Sequence, residues 1–292
     1  MSEFADPSCA QPVPPPGVFS RHELDRLAAM VARVAADEIM PRFGRLRQEQ
    51  VREKTSSFDL VTEADEAAEA AITAWLTRAF PQALTVGEEA AARQSALLQD
   101  WDQAELAFVV DPLDGTRNFA SGLPLFGTMV AVVARRQVLA AVIHDPVSMS
   151  TACALRDGGA WLSDAQGRCT PLRVAAAVPV QAMEGTVATN FMPEPLRTTV
   201  NHNLSRLSMS NWFRCAAHEY RLVAAGHSHI ALYNKLMPWD HAAGWLLHRE
   251  AGGYSAHFDG SPYLPGHTTG GLLCAPTQAS WREVHAALFA PH

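Results

Sequence analysis

An apolar run, Leu106 to Val110, gives way to Asp111-Pro112-Leu113-Asp114-Gly115-Thr116, and this break constrains the chain more than any other stretch. The run reads as a buried strand. Pro112 removes a backbone donor, so the strand is expected to end where Asp111 appears. Asp111 and Asp114 are then three apart across a turn, where both carboxylates can converge on one point. Gly115-Thr116 suits a helix start, where free N–H groups gather. Two sets of anionic oxygens thus stand beside a ready anion site. Hard cations such as Mg²⁺ take carboxylate oxygens, and a phosphate is served by both the cation and the N–H groups. Taken alone, the same residues also fit an ordinary Asp-Pro turn.

The 292 residues are enough for one large domain or two packed subdomains. A net charge of -7 argues against a general nucleic-acid surface. Anionic phosphates must then be met by local positive charge, which a metal ion supplies. Cys9, Cys153, Cys169, Cys215 and Cys274 are odd in number and scattered, with no CxxC pair, which predicts reduced thiols in a cytosol. No apolar run approaches the roughly 18 residues of a membrane span, so no membrane contact is expected. The first residues lack the basic, apolar and cleavage regions of a secretion signal.

Residues 1–17 are rich in proline and predict a disordered tail. Ser20-Arg21-His22-Glu23 forms a capping box for a helix to about Met40, stopped by Pro41. Thr62 is a good cap for a helix from Glu63 to about Ala79, with Asp65 in its first turn. Acids there also serve merely to complement the helix dipole. Leu84-Thr85-Val86 predicts a short strand ending at Gly87-Glu88-Glu89, where adjacent acids suit metal ligation or a solvated loop. Near-continuous apolar runs, Thr128–Ala134 and Val138–Ile143, predict strands covered on both faces. Later strands are expected at 151–155, 159–162, 171–174, 184–190, 229–233, 254–257 and 271–275. Helices are expected at 194–206, 218–225 and 277–289, with one capped by Asp240. A boundary near 145–152 would divide an N-terminal subdomain, 18–148, holding most of the acids, from a C-terminal one, 149–292, holding Asp240.

Asp65, Glu88, Asp111, Asp114 and Asp240 each stand at the start or end of an apolar element, where sheets present functional groups. Five carboxylates gathered without cations would repel one another and be costly to desolvate. Divalent ions resolve that cost.

The chain here resembles the inositol monophosphatase family, the lithium-sensitive, magnesium-dependent phosphatases. The marks are Asp59-Leu60-Val61-Thr62-Glu63-Ala64-Asp65, Gly87-Glu88-Glu89, Asp111-Pro112-Leu113-Asp114-Gly115-Thr116, Trp239-Asp240-His241-Ala242-Ala243-Gly244 and Glu250-Ala251-Gly252-Gly253, all in order. The resemblance implies a layered αβαβα fold of the inositol monophosphatase and fructose bisphosphatase type. It implies two or three Mg²⁺ ions held by Glu88, Asp111, the Leu113 carbonyl, Asp114 and Asp240, with Asp65 joining through water. Thr116 and Asp65 would orient the attacking water, Gly115 and Thr116 N–H groups would hold phosphate oxygens, and Lys54 would balance charge. A homodimer is implied as well, in a cytoplasmic setting.

The substrate half departs from the family. Counting back from Asp240, the family's substrate-binding glutamate falls at Tyr233, an aspartate common in that strand falls at His229, and the small residue whose N–H meets substrate falls at Ala216. Arg214 is a candidate for a second anionic group on the substrate, or for a surface salt bridge. The activity expected is hydrolysis of a small phosphorylated metabolite. The alternatives are other esters on the same site, such as histidinol phosphate, a sugar bisphosphate or phosphoadenosine phosphate, and a regulatory or binding protein on the same fold. Cys215 and Ser210 read as a packed thiol and a loop hydroxyl, not as nucleophiles.

Overall fold

The computed structural model describes residues 19–46, 50–56 and 59–291; the proline-rich stretch 1–17 lies outside them. α1 (Arg21–Val34) opens on the expected capping box, with the Glu23 N–H donating to Ser20 Oγ at 3.1 Å and the Ser20 N–H donating to the Glu23 carboxylate at 2.7 Å. Helical turns continue to Arg42, first wide and then tight. β1 (Val51–Ser56) pairs antiparallel with β2 (Asp59–Thr62). β1 carries mixed polar residues with no alternation, and sequence reading missed it. α2 (Glu63–Ala79) starts at Thr62 as expected.

Seven strands then build the main sheet, interrupted by two short helices. They are β3 (Leu84–Gly87), β4 (Ala107–Asp114), β5 (Gly127–Ala134), β6 (Gln137–Asp145), β7 (Ser150–Leu155), β8 (Gly159–Ser163) and β9 (Cys169–Pro171). α3 (Glu88–Arg93) follows β3, and α4 (Thr116–Ala120) follows β4. The spatial order is the chain order; only β3 and β4 are parallel. The boundary expected at 145–152 falls inside this sheet, because β6 turns straight back into β7. The change of sheet comes after Pro171. The strand expected at 171–174 forms instead at 169–171, on an edge, where a proline is tolerated.

The second sheet takes β10 (Glu184–Val187), β11 (Met209–Asn211), β12 (Ile230–Tyr233), β13 (Tyr254–Ala256) and β14 (Leu272–Ala275) in the order β11-β10-β12-β14-β13. Its helices are α5 (Leu196–Asn203), α6 (Ala216–Ala224), α7 (Pro238–Glu250) and α8 (Gln278–Leu288). β11, only three residues long, gave no sequence signal.

Strand alternation sorts the core into three bodies. Phe108, Val110, Val130 and Val132 face α1 and α2, while Val109, Met129, Ala131 and Val133 face α6 and α7. On the second sheet, Ala231, Tyr233, Leu272 and Cys274 join that middle body, and Ile230, Leu232, Leu273 and Ala275 turn outward to α8. The result is the expected αβαβα sandwich, with the middle helices buried between two sheets. Among the described residues no helix is long and apolar enough to cross a membrane.

The middle layer is tight. α6 and α7 approach so closely that a Cβ on Gly244 would stand 2.0 Å from the Tyr220 ring. Tyr220 is itself fully buried. Gly244→Ala should therefore lower stability, by about 1–3 kcal/mol for overpacking of a filled core. A thermal melt of the variant checks this; a melting temperature equal to wild type would show that the two helices separate freely.

Candidate functional site

β4 runs past Asp111 to Asp114, three residues beyond its expected end. Its register against β5 slips by one residue: Asp111 lies opposite Met129 and Asp114 opposite Gly127. Residues three apart on an even strand point to opposite faces, and a one-residue bulge returns them to the same side. Asp111 is then locked by the Leu113 N–H, which donates to its Oδ1 at 3.0 Å. Asp240 arrives from α7. It does not cap that helix as expected, because Met237 holds the cap position and Pro238 the first turn; Asp240 stands in the first turn instead. Carboxylate oxygens of Asp111, Asp114 and Asp240 come within 4.8 Å of one another.

Asp114 is held from across the molecule. The Ala217 N–H donates to its Oδ2 at 2.5 Å and the Cys215 thiol at 3.1 Å. It thus sits at the N-terminus of α6, where the helix dipole favours an anion. Burial nevertheless pushes its pKa up to about 6, against the lowering effect of those bonds. Burial also holds Asp240 well above the usual carboxylate range, with Glu88 and Asp114 adding repulsion. Cys215 is raised well above the ordinary thiol value by burial and by Asp114, so it is no nucleophile.

Glu88 begins α3 and lines the same cleft. Its placement depends on Glu69 of α2, whose carboxylate accepts from the Glu89 N–H at 2.7 Å and the Ala90 N–H at 2.8 Å. Gly87 leaves room for this carboxylate, since a Cβ there would displace the end of the Glu69 side chain. This capping across helices has no sequence signature.

Asp65 is fully buried and does more than complement a dipole. Its Oδ2 accepts from the Thr62 N–H at 2.9 Å and the Thr62 hydroxyl at 2.6 Å, which leaves Oδ1 to the Thr116 hydroxyl at 2.9 Å. Burial raises Asp65 to about 6, with the Thr62 hydroxyl opposing. Thr116 Oγ1 also lies 2.9 Å from the Leu113 carbonyl. A hydroxyl has one proton, so it can serve only one of these acceptors well and leaves its lone pairs toward the cleft. Gly115 has φ 85°, and a Cβ would meet the Leu125 carbonyl at 2.8 Å. Lys54 falls on β1, and its side chain lies outside the described residues.

The cleft above these acids measures about 530 Å³. Ala216, Tyr233 and Arg214 all line it. Tyr233 is 5% exposed, stacks on Tyr220 at 5.1 Å between centroids and packs on His241 at 4.7 Å. Its hydroxyl is buried without a well-aligned hydrogen-bond partner. His229 is a correction: its Nδ1 takes the Glu184 N–H at 3.3 Å, and it does not line the cleft. It lies before β12 begins, outside the strand whose alternation would turn it toward the acids. Sequence reading missed Glu219, which stands in the first turn of α6 and resembles any dipole-complementing acid there. It lines the cleft, and burial lifts it to about 8, so that it is largely neutral near pH 7.

The donor set fits a hard divalent cation. It is all carboxylate oxygen and buried or half-buried, with no sulfur or imidazole among the clustered groups.

Comparison with known proteins agrees with this geometry. A model described as the inositol monophosphatase family matches residues 20–291. "Nus factor SuhB" of Escherichia coli K12 is 32% identical over 246 residues, covering 82% of this chain and 86% of that protein. "Inositol-1-monophosphatase" of Mesorhizobium japonicum is 32% identical over 249 residues, covering 83% and 88%. The crystal structure of extragenic suppressor protein suhB from Bartonella henselae superposes with a TM-score of 0.75 at 25% identity, covering 92% of this chain and 97% of that one.

The raised acids have a thermodynamic consequence. Between the ordinary carboxylate value of 3.8 and about 6, folded Asp65 and Asp114 keep protons that the unfolded chain has released. Metal-free folded protein therefore loses this part of its stability as pH rises through that window, and does not regain it above. A divalent cation binds the deprotonated forms, so its stabilisation grows over the same window. The melting-temperature gain from added Mg²⁺ should be larger at about pH 7.5 than at about pH 5. An equal gain at both would refute the linkage. Asp111→Asn keeps volume and removes one anionic ligand. It should abolish most of the Mg²⁺-induced gain while leaving the metal-free melt at or above that of wild type, read by the same thermal scans.

Proposed function

Since the chain belongs to the inositol monophosphatase family, we propose that it is a Mg²⁺-dependent phosphomonoesterase that releases phosphate from a small ester by attack of water. One observation carries the reading. Three carboxylates converge at the cleft floor, and a hydroxyl tied to a fourth, fully buried one stands beside them.

Asp111, Asp114 and Asp240, with Glu88 and the Leu113 carbonyl, would hold two or three ions. Mg²⁺ held there would supply a lowered pKa for bound water and charge stabilisation for the phosphate and the leaving alkoxide. The chain's own part is orientation. Asp65, fixed by Thr62, takes the Thr116 proton and leaves a Thr116 lone pair to accept a hydrogen bond from the attacking water. The water's proton then has a short path through Thr116 to Asp65, which burial already inclines to accept one. The N–H groups of Gly115 and Thr116, at the start of α4, would bind the transferred phosphoryl oxygens. Lys54 would offset the surplus of negative charge. No covalent phosphoenzyme is required, because Cys215 is spent on Asp114.

Tyr233 shapes the choice of ester. A glutamate in its place would hold sugar-like hydroxyls by charge-assisted bonds, roughly twice as strong as neutral ones. Tyr233 instead lines the cleft with a ring whose hydroxyl is buried, so a bare polyol is disfavoured. Homodimer formation, lithium sensitivity and a cytoplasmic location come with the family and belong to the same proposal.

A second role as a binding or regulatory protein draws on one finding, the name "Nus factor" that several relatives carry. Affinity capture with the Asp111→Asn chain, compared with wild type, separates such binding from turnover.

Phosphate release from a panel of esters should vanish in excess chelator and return with Mg²⁺; full activity in chelator would sink the metal mechanism. Within the panel, inositol monophosphate should not be the best substrate. A tenfold advantage for it, about 1.4 kcal/mol of transition-state preference, would overturn the role given to Tyr233.

A further inference from the structure

The cleft that holds the acids is also lined by Arg117, Arg197, Arg214 and Lys235, on a chain whose net charge is -7. Two aromatic side chains, Phe191 and Trp212, line it too. Trp212 also packs against the middle core. Phe191 is 51% exposed; its backbone is held by the Asn234 side-chain amide, which donates to its carbonyl at 2.6 Å, and Lys235 Nζ stands 5.7 Å from its ring centroid.

Arg214 is the more telling residue. It holds φ 57°, a left-handed conformation that costs a non-glycine residue and persists only where the surroundings impose it. Both neighbours are pinned. The Phe213 N–H donates to buried Glu219 at 3.0 Å, and the Phe213 carbonyl accepts from Asn118 Nδ2 at 2.8 Å. Asn118 is fully buried and donates to the Leu125 carbonyl as well, at 2.8 Å. On the other side the Cys215 thiol is bound to Asp114. The loop is thus clamped to α4 and α6, and the clamp delivers a guanidinium to the cleft. Among the described residues no carboxylate stands within ion-pair distance of Arg214, while Arg197 has only Glu194, at 4.0 Å. A guanidinium without a carboxylate partner, as at Arg214, suits planar, bidentate anions.

We propose that this basic and aromatic lining forms a second substrate subsite, in which Arg214, with Arg197, binds an anionic group distinct from the scissile phosphate, and Phe191 and Trp212 flank a planar ring. The favoured substrate is then an aromatic phosphate monoester carrying a further phosphate or carboxylate. The roughly 530 Å³ of the cleft leaves room for such a body beyond the metal centre. The assignment rests on the phosphomonoesterase reading, and it deepens that reading from "not a bare polyol" to a class with two anionic groups.

The test compares matched pairs. For wild type, kcat/KM is measured for 4-carboxyphenyl phosphate against phenyl phosphate, and for a nucleoside 3′,5′-bisphosphate against the corresponding monophosphates. The doubly anionic member should lead by tenfold or more in at least one pair, and which pair leads tells carboxylate from phosphate. In Arg214→Ala that ratio should fall tenfold, chiefly through KM, and Arg197→Gln should lower it in the same direction. A wild-type ratio near one in both pairs, or a ratio unmoved in Arg214→Ala, overturns the subsite. Calorimetric titration of the nucleoside bisphosphate in the presence of Mg²⁺ provides a readout that does not require turnover. Asp111→Asn should bind it at least tenfold more tightly than Asp111→Asn/Arg214→Ala does, and equal binding refutes the proposal. If wild type releases phosphate from no ester, the phosphatase reading fails and the titration alone decides the subsite.

Discussion

Carboxylates do not gather in a protein interior without a reason, and this structure is arranged around making them do so. Asp65 and Asp111 are buried to within 1% of full burial, Asp114 and Asp240 stand close by, and burial lifts three of the four above their ordinary range. Each is secured by a different element. Asp111 is held by its own bulge, Asp114 by the N-terminus of α6, Asp65 by the cap of α2 and Asp240 by the first turn of α7. The repulsion among them is stored by the packing of the sandwich, and a hard cation is the species that releases it.

That storage explains why the middle layer is rigid. α6 carries the N–H groups that hold Asp114, and α7 carries Asp240, so the angle between the helices sets the distance between these acids. Gly244 lets the helices meet at the Tyr220 ring. Arg221, with its side chain only 14% exposed, ties α6 to the β6–β7 turn through Ser150 Oγ at 2.6 Å and the Ser150 carbonyl at 3.1 Å. A neutral His241 fills the remaining space, its ring joined to the Tyr220 hydroxyl at 3.1 Å and the Lys235 carbonyl at 2.9 Å; burial lowers it to about 4. His241 thus adds an uncharged ring to the lining of the cleft near neutrality.

Tyr233, stacked on Tyr220, adds an uncharged ring to the lining of the cleft. Arg214 adjoins Cys215, whose thiol is bound to Asp114, so the same short segment supports both the acid cluster and the basic lining.

Much of this was legible in the residues. The capping boxes at Ser20 and Thr62, the apolar strands and the αβαβα order follow from local pattern and from the resemblance, because caps and alternation act over a few residues. The acids Asp65, Glu88, Asp111, Asp114 and Asp240 were legible as an ordered set at element ends. Other features depended on contacts between distant segments. The extension of β4 to Asp114 needed the register with β5; the anchoring of Asp114 needed Ala217 and Cys215, a hundred residues away in sequence; the placement of Glu88 needed Glu69. His229 fell outside the cleft because strand β12 begins one residue later than the count assumed, and facing in a strand is fixed only by register. The chain by itself determined which groups carry the chemistry. Only the tertiary structure decided which of their oxygens point at one another, since hydrogen bonds between segments leave no period in the sequence.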